Sequence, residues 1–185
     1  MTNEIMSETR TRMQKAVEAV QHEMALIRTG RATTNLLDVV RVDYYGTHMP
    51  INQLATVGVP EARLLTIQPW DKSAIQAIEK AIMASGLGLT PSNDGTLIRL
   101  PIPQLTEERR RDLVRVVHKL AEEGRVSVRN ARRDANEMLK EAEKEGEIPE
   151  DDGKKAPKHV QELTDEYIHK IDEVLKRKEA EIMEV

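Results

Sequence analysis

Arg110, Arg111, Arg115, Arg125, Arg129, Arg132 and Arg133 are the residues of this chain best suited to chemistry with a ligand. Turned as one helix from Leu105 to Glu145, at about 100° per residue, they share an arc of about 140°. Each planar guanidinium can donate two parallel hydrogen bonds to an oxyanion, so a row of them suits the phosphates of a nucleic-acid backbone. Leu113, Val117, Leu120, Gly124, Val128, Ala131, Ala135, Met138 and Ala142 share a separate arc of about 80°, centred roughly 110° away. One face is therefore expected to pack while its neighbour presents charge. The plainer alternative is a solvated face crossed by i,i+4 ion pairs. Three features weigh against it. Acidic residues look scarce within the arc, arginine outnumbers lysine eight to one between residues 109 and 133, and like charge clustered this densely costs stability.

The candidate interface comprises Arg28, Arg31, Arg110, Arg111, Arg125, Arg129, Arg132 and Arg133. Arg28 and Arg31 flank Gly30 at the expected end of the first helix, where cations also favour a helix C-terminus. Signals for catalysis are poor. His22, His48, His118, His159 and His169 are widely separated and show no metal-ligand spacing. His118 reads as a surface residue of the long helix. Gly86-Leu87-Gly88-Leu89 lacks the Gly-Lys-Ser/Thr ending of a nucleotide loop and reads as a turn. Asp151-Asp152 reads as a solvated loop. Met6, Met13 and Met24 fall on an apolar seam and read as core. No enzyme, metal site or cofactor is expected.

Composition narrows the partners. With 32% charged residues, 39% hydrophobic and 2% aromatic, the chain is a helix-leaning soluble protein. So few aromatic rings count against single-strand recognition by base stacking. No cysteine is present, which permits a reducing compartment. No run of about 18 apolar residues suggests a membrane span. The opening Met1-Thr2-Asn3-Glu4-Ile5 lacks the pattern of a signal peptide, so the mature chain is expected to begin there. The net charge of −4 hides a strong asymmetry: residues 109–133 hold nine basic and three acidic residues, residues 134–153 nine acidic and two basic. Residues 129 and 143 would stand about 21 Å apart on a helix. That exceeds two Debye lengths of about 8 Å, so the basic patch can act locally.

Those side chains need elements to carry them. Met6, Met13, Val17, Val20, Met24 and Ile27 form a heptad seam over a first helix, Asn3 to Thr29, with Gly30 as its stop. A second helix runs from Leu105, with Thr106 as N-cap, to Glu145 before Gly146 and Pro149. A third runs from about Pro157 to Met183, after an acidic loop from Glu147 to Gly153. Between them the period changes. Residues 38–45, 62–67 and 96–100 read as strands, and Ser73 to Ala84 as a helix with a Ser73/Gln76 capping box. The expected class is α+β: an elongated antiparallel three-helix bundle (residues 1–30 and 105–185) with a small, β-rich α/β domain (31–104) inserted between its first two helices. The chain would leave the bundle at Gly30-Arg31 and return through Pro101, Pro103 and Gln104, which makes these the expected hinge of an L-shaped molecule.

Particular residues also match a known family. Ile27-Arg28-Thr29-Gly30-Arg31-Ala32, Tyr44-Tyr45-Gly46, Leu105-Thr106-Glu107-Glu108-Arg109-Arg110 and Val128-Arg129-Asn130-Ala131-Arg132-Arg133-Asp134 stand in the order and separation of its markers. The chain resembles bacterial ribosome recycling factor from end to end, and only Thr47-His48-Met49-Pro50 looks unusual. The resemblance implies a three-helix bundle carrying a small hinged domain, and a cytoplasmic monomer that splits the post-termination ribosome with elongation factor G and GTP. GTP would serve the partner factor and not this chain. Arg28, Arg129 and Arg132 would be the principal contacts to large-subunit ribosomal RNA, supported by Arg110 and Arg133. Neither DNA nor membrane is implied as a partner. The alternatives are a helical-bundle adaptor or chaperone for protein partners and, second, an enzyme site in the inserted domain, which would need a pocket with perturbed titratable groups.

Overall fold

The computed structural model describes residues 1–184. In chain order its elements are α1 (Thr2–Ala25), β1 (Arg41–Tyr44), β2 (Thr47–Pro50), β3 (Ala55–Glu61), β4 (Leu64–Pro69), α2 (Ile75–Ala84), β5 (Ser92–Asn93), β6 (Ile98–Pro101), α3 (Glu107–Lys144) and α4 (Glu150–Met183). They form two compact units, Met1–Arg28 with Glu107–Glu184, and Thr29–Thr106.

The first unit is a bundle of α1, α3 and α4. Ile5 shares one apolar cluster with Ala135, Leu139, Ala142, Ile148, Ala156 and Val160. The start of α1 therefore lies beside the end of α3 and the start of α4, so α1 opposes α3 and runs alongside α4. Met13, Val17, Val20 and Met24 are buried at spacings of 4, 3 and 4, as one face of a packed helix requires. At 38 residues, α3 is about 57 Å long. Its buried stripe is Leu113, Val117, Ala121, Gly124, Val128, Ala131, Ala135, Leu139 and Ala142. Ala121 and Leu139 replace the expected Leu120 and Met138, which are only half-buried. The packed arc is thereby rotated by about 20° toward the arginines, because α3 is covered by two helices at once.

Helix boundaries depart from expectation in two places. α1 stops at Ala25, not Thr29. The N–H groups of Leu26 and Ile27 donate to the carbonyls of Glu23 and Met24, a tightened last turn that carries the half-buried Ile27 beyond the helix. α4 begins at Glu150, seven residues before Pro157, and the acidic loop shrinks to the turn around Gly146. There Glu147 N–H donates to Ala142 O at 2.9 Å and Gly146 adopts φ 75°, a glycine-closed helix end. Glu150, Asp151 and Asp152 occupy the first turn of α4, where carboxylates complement the helix dipole. Pro157 is accommodated inside the helix.

The second unit buries Val42, Leu65, Ile67, Ile78, Ile82, Ile98 and Leu100 between α2 and the strands. β1 and β2 form a hairpin with Tyr44 opposite Thr47. Its two-residue turn, Tyr45-Gly46, has φ of 51° and 80°, both positive as a type I′ turn demands. The other four strands form an antiparallel sheet in the order β3-β4-β6-β5. The strand expected over 38–45 is confined to Arg41–Tyr44, after a 3-10 helix at Thr34–Leu37. β2, β3 and β5 had no clear sequence signal. β3 contains Gly58 and Pro60, which ordinarily argue against a strand, but it lies at the sheet edge and is irregular between Gly58 and Glu61, where proline is tolerated. No Ser73/Gln76 box caps α2; instead Asp71 caps the 3-10 turn Lys72–Ala74 that leads into it, its carboxylate accepting from Ser73 N–H.

Candidate nucleic-acid interface

The arginine row survives folding but is not uniform. Rotation of the packed arc brings Arg110 to its edge. Arg110 is half-buried, and its Nε is buried without a hydrogen-bond partner. Arg125 is buried further, its side chain only 20% exposed. Its Nε and Nη2 donate to Asp172 Oδ1 of α4 at 2.8 and 2.7 Å, and its Nη1 donates to Glu122 at 3.1 Å. Burial works against its charge, yet these two carboxylates outweigh that effect and push its pKa upward. Arg125 is thus a clamp between two helices of the bundle.

Of the remaining arginines, Arg111, Arg115 and Arg133 are exposed, and Arg129 and Arg132 half-buried. Arg111 pairs with Glu107 at 2.6 Å, and Arg115 with Asp112 at 3.5 Å. Arg129 donates from Nη1 to Glu122 Oε1 at 3.0 Å. Among the described residues Arg132 has only a long contact, 3.5 Å, to the neutral Gln161 Oε1. No carboxylate pairs with Arg28, Arg110, Arg132 or Arg133 among the described residues. The expected scarcity of acidic partners is therefore corrected: Glu107 and Glu122 lie within the arginine arc, and Asp172 reaches it from α4. Hydrogen bonds from Arg129 and then Arg125 hold the Glu122 carboxyl below the ordinary carboxylate range. Glu122 could have been found by placing it on the same helical wheel. Asp172 and Gln161 could not, because only the α3–α4 packing brings them near.

Exposed ion pairs are weak, on the order of 0–1 kcal/mol. Replacing an exposed carboxylate with a phosphate is therefore inexpensive at Arg111 and Arg129, and no replacement is needed at Arg132 or Arg133. Arg28 is exposed just after α1 in the bundle unit, whereas Arg31 belongs to the second unit. The expected joint residues are also distributed. Pro101 pairs with Leu64 inside the sheet, so it belongs to β6 and not to a free connector. Gly30 adopts φ 77° and packs on Leu105 and the Pro103 carbonyl, while Gln104 is exposed.

The other candidates take part in packing and surface pairing. His118 pairs with Glu179 at 3.1 Å, His159 with Glu162 and His169 with Glu173. Met13 and Met24 are fully buried in the bundle.

Known proteins provide a frame for this geometry. The family described as "Ribosome recycling factor" matches residues 20–183. The ribosome-recycling factor of Heliobacterium modesticaldum is 59% identical, and that of Bacillus subtilis (strain 168) 56%, each over all of both chains. A solution structure of the ribosome recycling factor is 49% identical and superposes with a TM-score of 0.74, covering 100% of this chain and 98% of that one. A second structure, of the T. thermophilus ribosome recycling factor in a set of models with E. coli elongation factor G bound to the E. coli post-termination complex, is 50% identical with a TM-score of 0.64, covering all of both chains.

Proposed function

As the chain belongs to the ribosome recycling factor family, we propose that it grips ribosomal RNA of the large subunit through α3 and splits the post-termination ribosome with elongation factor G and GTP. The observation that carries this reading is the stretch of α3 around the half-buried Arg132 and the exposed Arg133. There, guanidinium groups without carboxylate partners among the described residues sit on a long helix whose neighbouring face is locked into a bundle. Such a surface reads folded RNA through phosphates and shape, not base sequence. Affinity should fall by about 0.7 to 0.9 in log K per log salt for each phosphate neutralised.

The structural neighbour seen with elongation factor G on the post-termination complex supports the same two partners here. In this reading the chain is not an enzyme and carries no cofactor. It acts by binding one ribosome state better than another while the GTP-driven factor supplies the work. The bundle stays wedged on RNA, and the unit from Thr29 to Thr106 receives the push. Gly30, Arg31, Pro103 and Gln104 form the joint. The protein acts as a cytoplasmic monomer.

Light scattering from post-termination ribosomes tests this. Splitting is expected only when the chain, elongation factor G and GTP are all present. Intact ribosomes in that complete mixture would overturn the reading.

A further inference from the structure

Glu122 uses its two carboxylate oxygens on two different arginines: Oε2 accepts from Arg125 Nη1 at 3.1 Å and Oε1 from Arg129 Nη1 at 3.0 Å. We propose that Glu122 is the resident occupant of a phosphate site built by Arg125 and Arg129, which ribosomal RNA must displace to engage Arg129. The proposal rests on the reading of α3 as the RNA-gripping face.

Three observations carry it. First, the pairing is long-range along the helix. Residues 122 and 129 are two turns apart, about 10.5 Å, yet they share nearly the same azimuth. Arg129 must therefore lie back along the helix toward its N-terminus to reach Glu122, the direction in which helical side chains already lean. The carboxylate holds it flat when it could stand out toward a ligand. Second, Arg129 is only partly used. Its Nε and Nη2 have no protein partner among the described residues, so the fork remains available to an oxyanion once it turns. Third, Arg125 is fixed from the other side by Asp172. It stays in place when Glu122 leaves, and forms a stationary wall of the site.

A carboxylate that presents one oxygen to each of two guanidinium groups imitates two non-bridging oxygens of a phosphodiester. It is exposed, at 52%, so displacement requires no rearrangement of the core. Its chemical consequence is selectivity. An isolated phosphate gains little by replacing a carboxylate already present. A surface that also engages Arg132 and Arg133 gains enough to displace it. Glu122 is thus a positioning residue that raises the threshold for RNA capture.

The test is a double-mutant cycle read by sedimentation with purified large ribosomal subunits across a salt series. Glu122→Gln keeps the shape and removes the charge. It is expected to tighten binding several-fold at low salt and to steepen the slope of log affinity on log salt by about 0.7 to 0.9, the equivalent of one more phosphate. That gain should vanish in an Arg129→Ala background. Glu123→Gln, the same charge change with no arginine partner, should give no such gain. A gain of equal size in the Arg129→Ala background, or equal gains in both glutamine variants, would show a general field effect and overturn the proposal. Unchanged or weaker binding by Glu122→Gln would show a strut and also overturn it. Arg132→Ala in the same series separates the two levels: if it weakens binding while Glu122→Gln gives no gain, only the displacement proposal fails. If it leaves binding intact, the underlying reading fails as well.

Discussion

Val20 of α1 lies so close to Gly124 of α3 that its Cγ2 occupies the space a β-carbon would need, while Ile171 Cδ1 of α4 closes the other side at 3.2 Å. All three helices of the bundle meet at this glycine. Alanine there would gain about 1 kcal/mol of helix propensity. It would also overpack a closed contact, at a cost of about 1–3 kcal/mol. Gly124→Ala is therefore expected to lower stability by up to about 2 kcal/mol. Denaturation of Gly124→Ala, Val20→Ala and the double variant checks the cause. The double variant should lose less than the sum of the singles, and strict additivity would remove the steric explanation.

Arg125 and Arg133 should part company in stability. Arg125 ties α3 to Asp172 of α4 and is mostly buried, whereas Arg133 is exposed. Because Asp172 is itself half-exposed, solvent screening limits the clamp, and Arg125→Ala is expected to cost about 1 kcal/mol. Arg133→Ala should change stability by less than about 0.5 kcal/mol. Equal losses in thermal denaturation would contradict this division of the row.

The unit from Thr29 to Thr106 should weaken in acid. Asp94 is held below the usual carboxylate range by the backbone N–H groups of Leu97 and Thr96, then by the Thr96 hydroxyl. Asp71 is lowered by the backbone and side chain of Ser73, then by Tyr44. Both groups have folded pKa values below their unfolded ones. Their contribution is present above about pH 4–5 and is lost as pH falls further toward the folded values. Melting of wild type and Asp94→Asn at pH 7 and pH 3 measures this. The variant should show the smaller difference between the two, and an unchanged difference would refute the role given to Asp94.

Gly30 combines a left-handed backbone with a side that meets Leu105, whose Cγ would lie 3.2 Å from an added β-carbon. Proline cannot adopt its positive φ. Gly30→Pro is expected to impair subunit splitting more than ribosome binding. Splitting at the wild-type rate would count against a joint at this position.

Much of the fold was legible from periodicity. The seam at Met13, Val17, Val20 and Met24 and the small-residue stripe around Gly124, Val128 and Ala131 both follow from a 3.6-residue repeat. The start of α4 was not, because Pro157 and Gly153 read as breakers although tertiary packing of Ala156 and Val160 carries the helix through them. β3 was hidden by Gly58 and Pro60, and β2 and β5 by their brevity. At the interface, residue types and azimuths were readable on α3 alone. Which arginines are engaged depends on Asp172 and Gln161 of α4, and no spacing within α3 reveals those partners.

The central claim is that α3 grips ribosomal RNA through its outward arginines, and Arg132→Ala is its most direct test. Sedimentation of wild type and variant with ribosomes across a salt series, with circular dichroism to verify the fold, is the measurement. The account expects an intact fold, weaker binding, and a salt slope shallower by about 0.7 to 0.9. Equal binding by the two proteins at every salt concentration would contradict it.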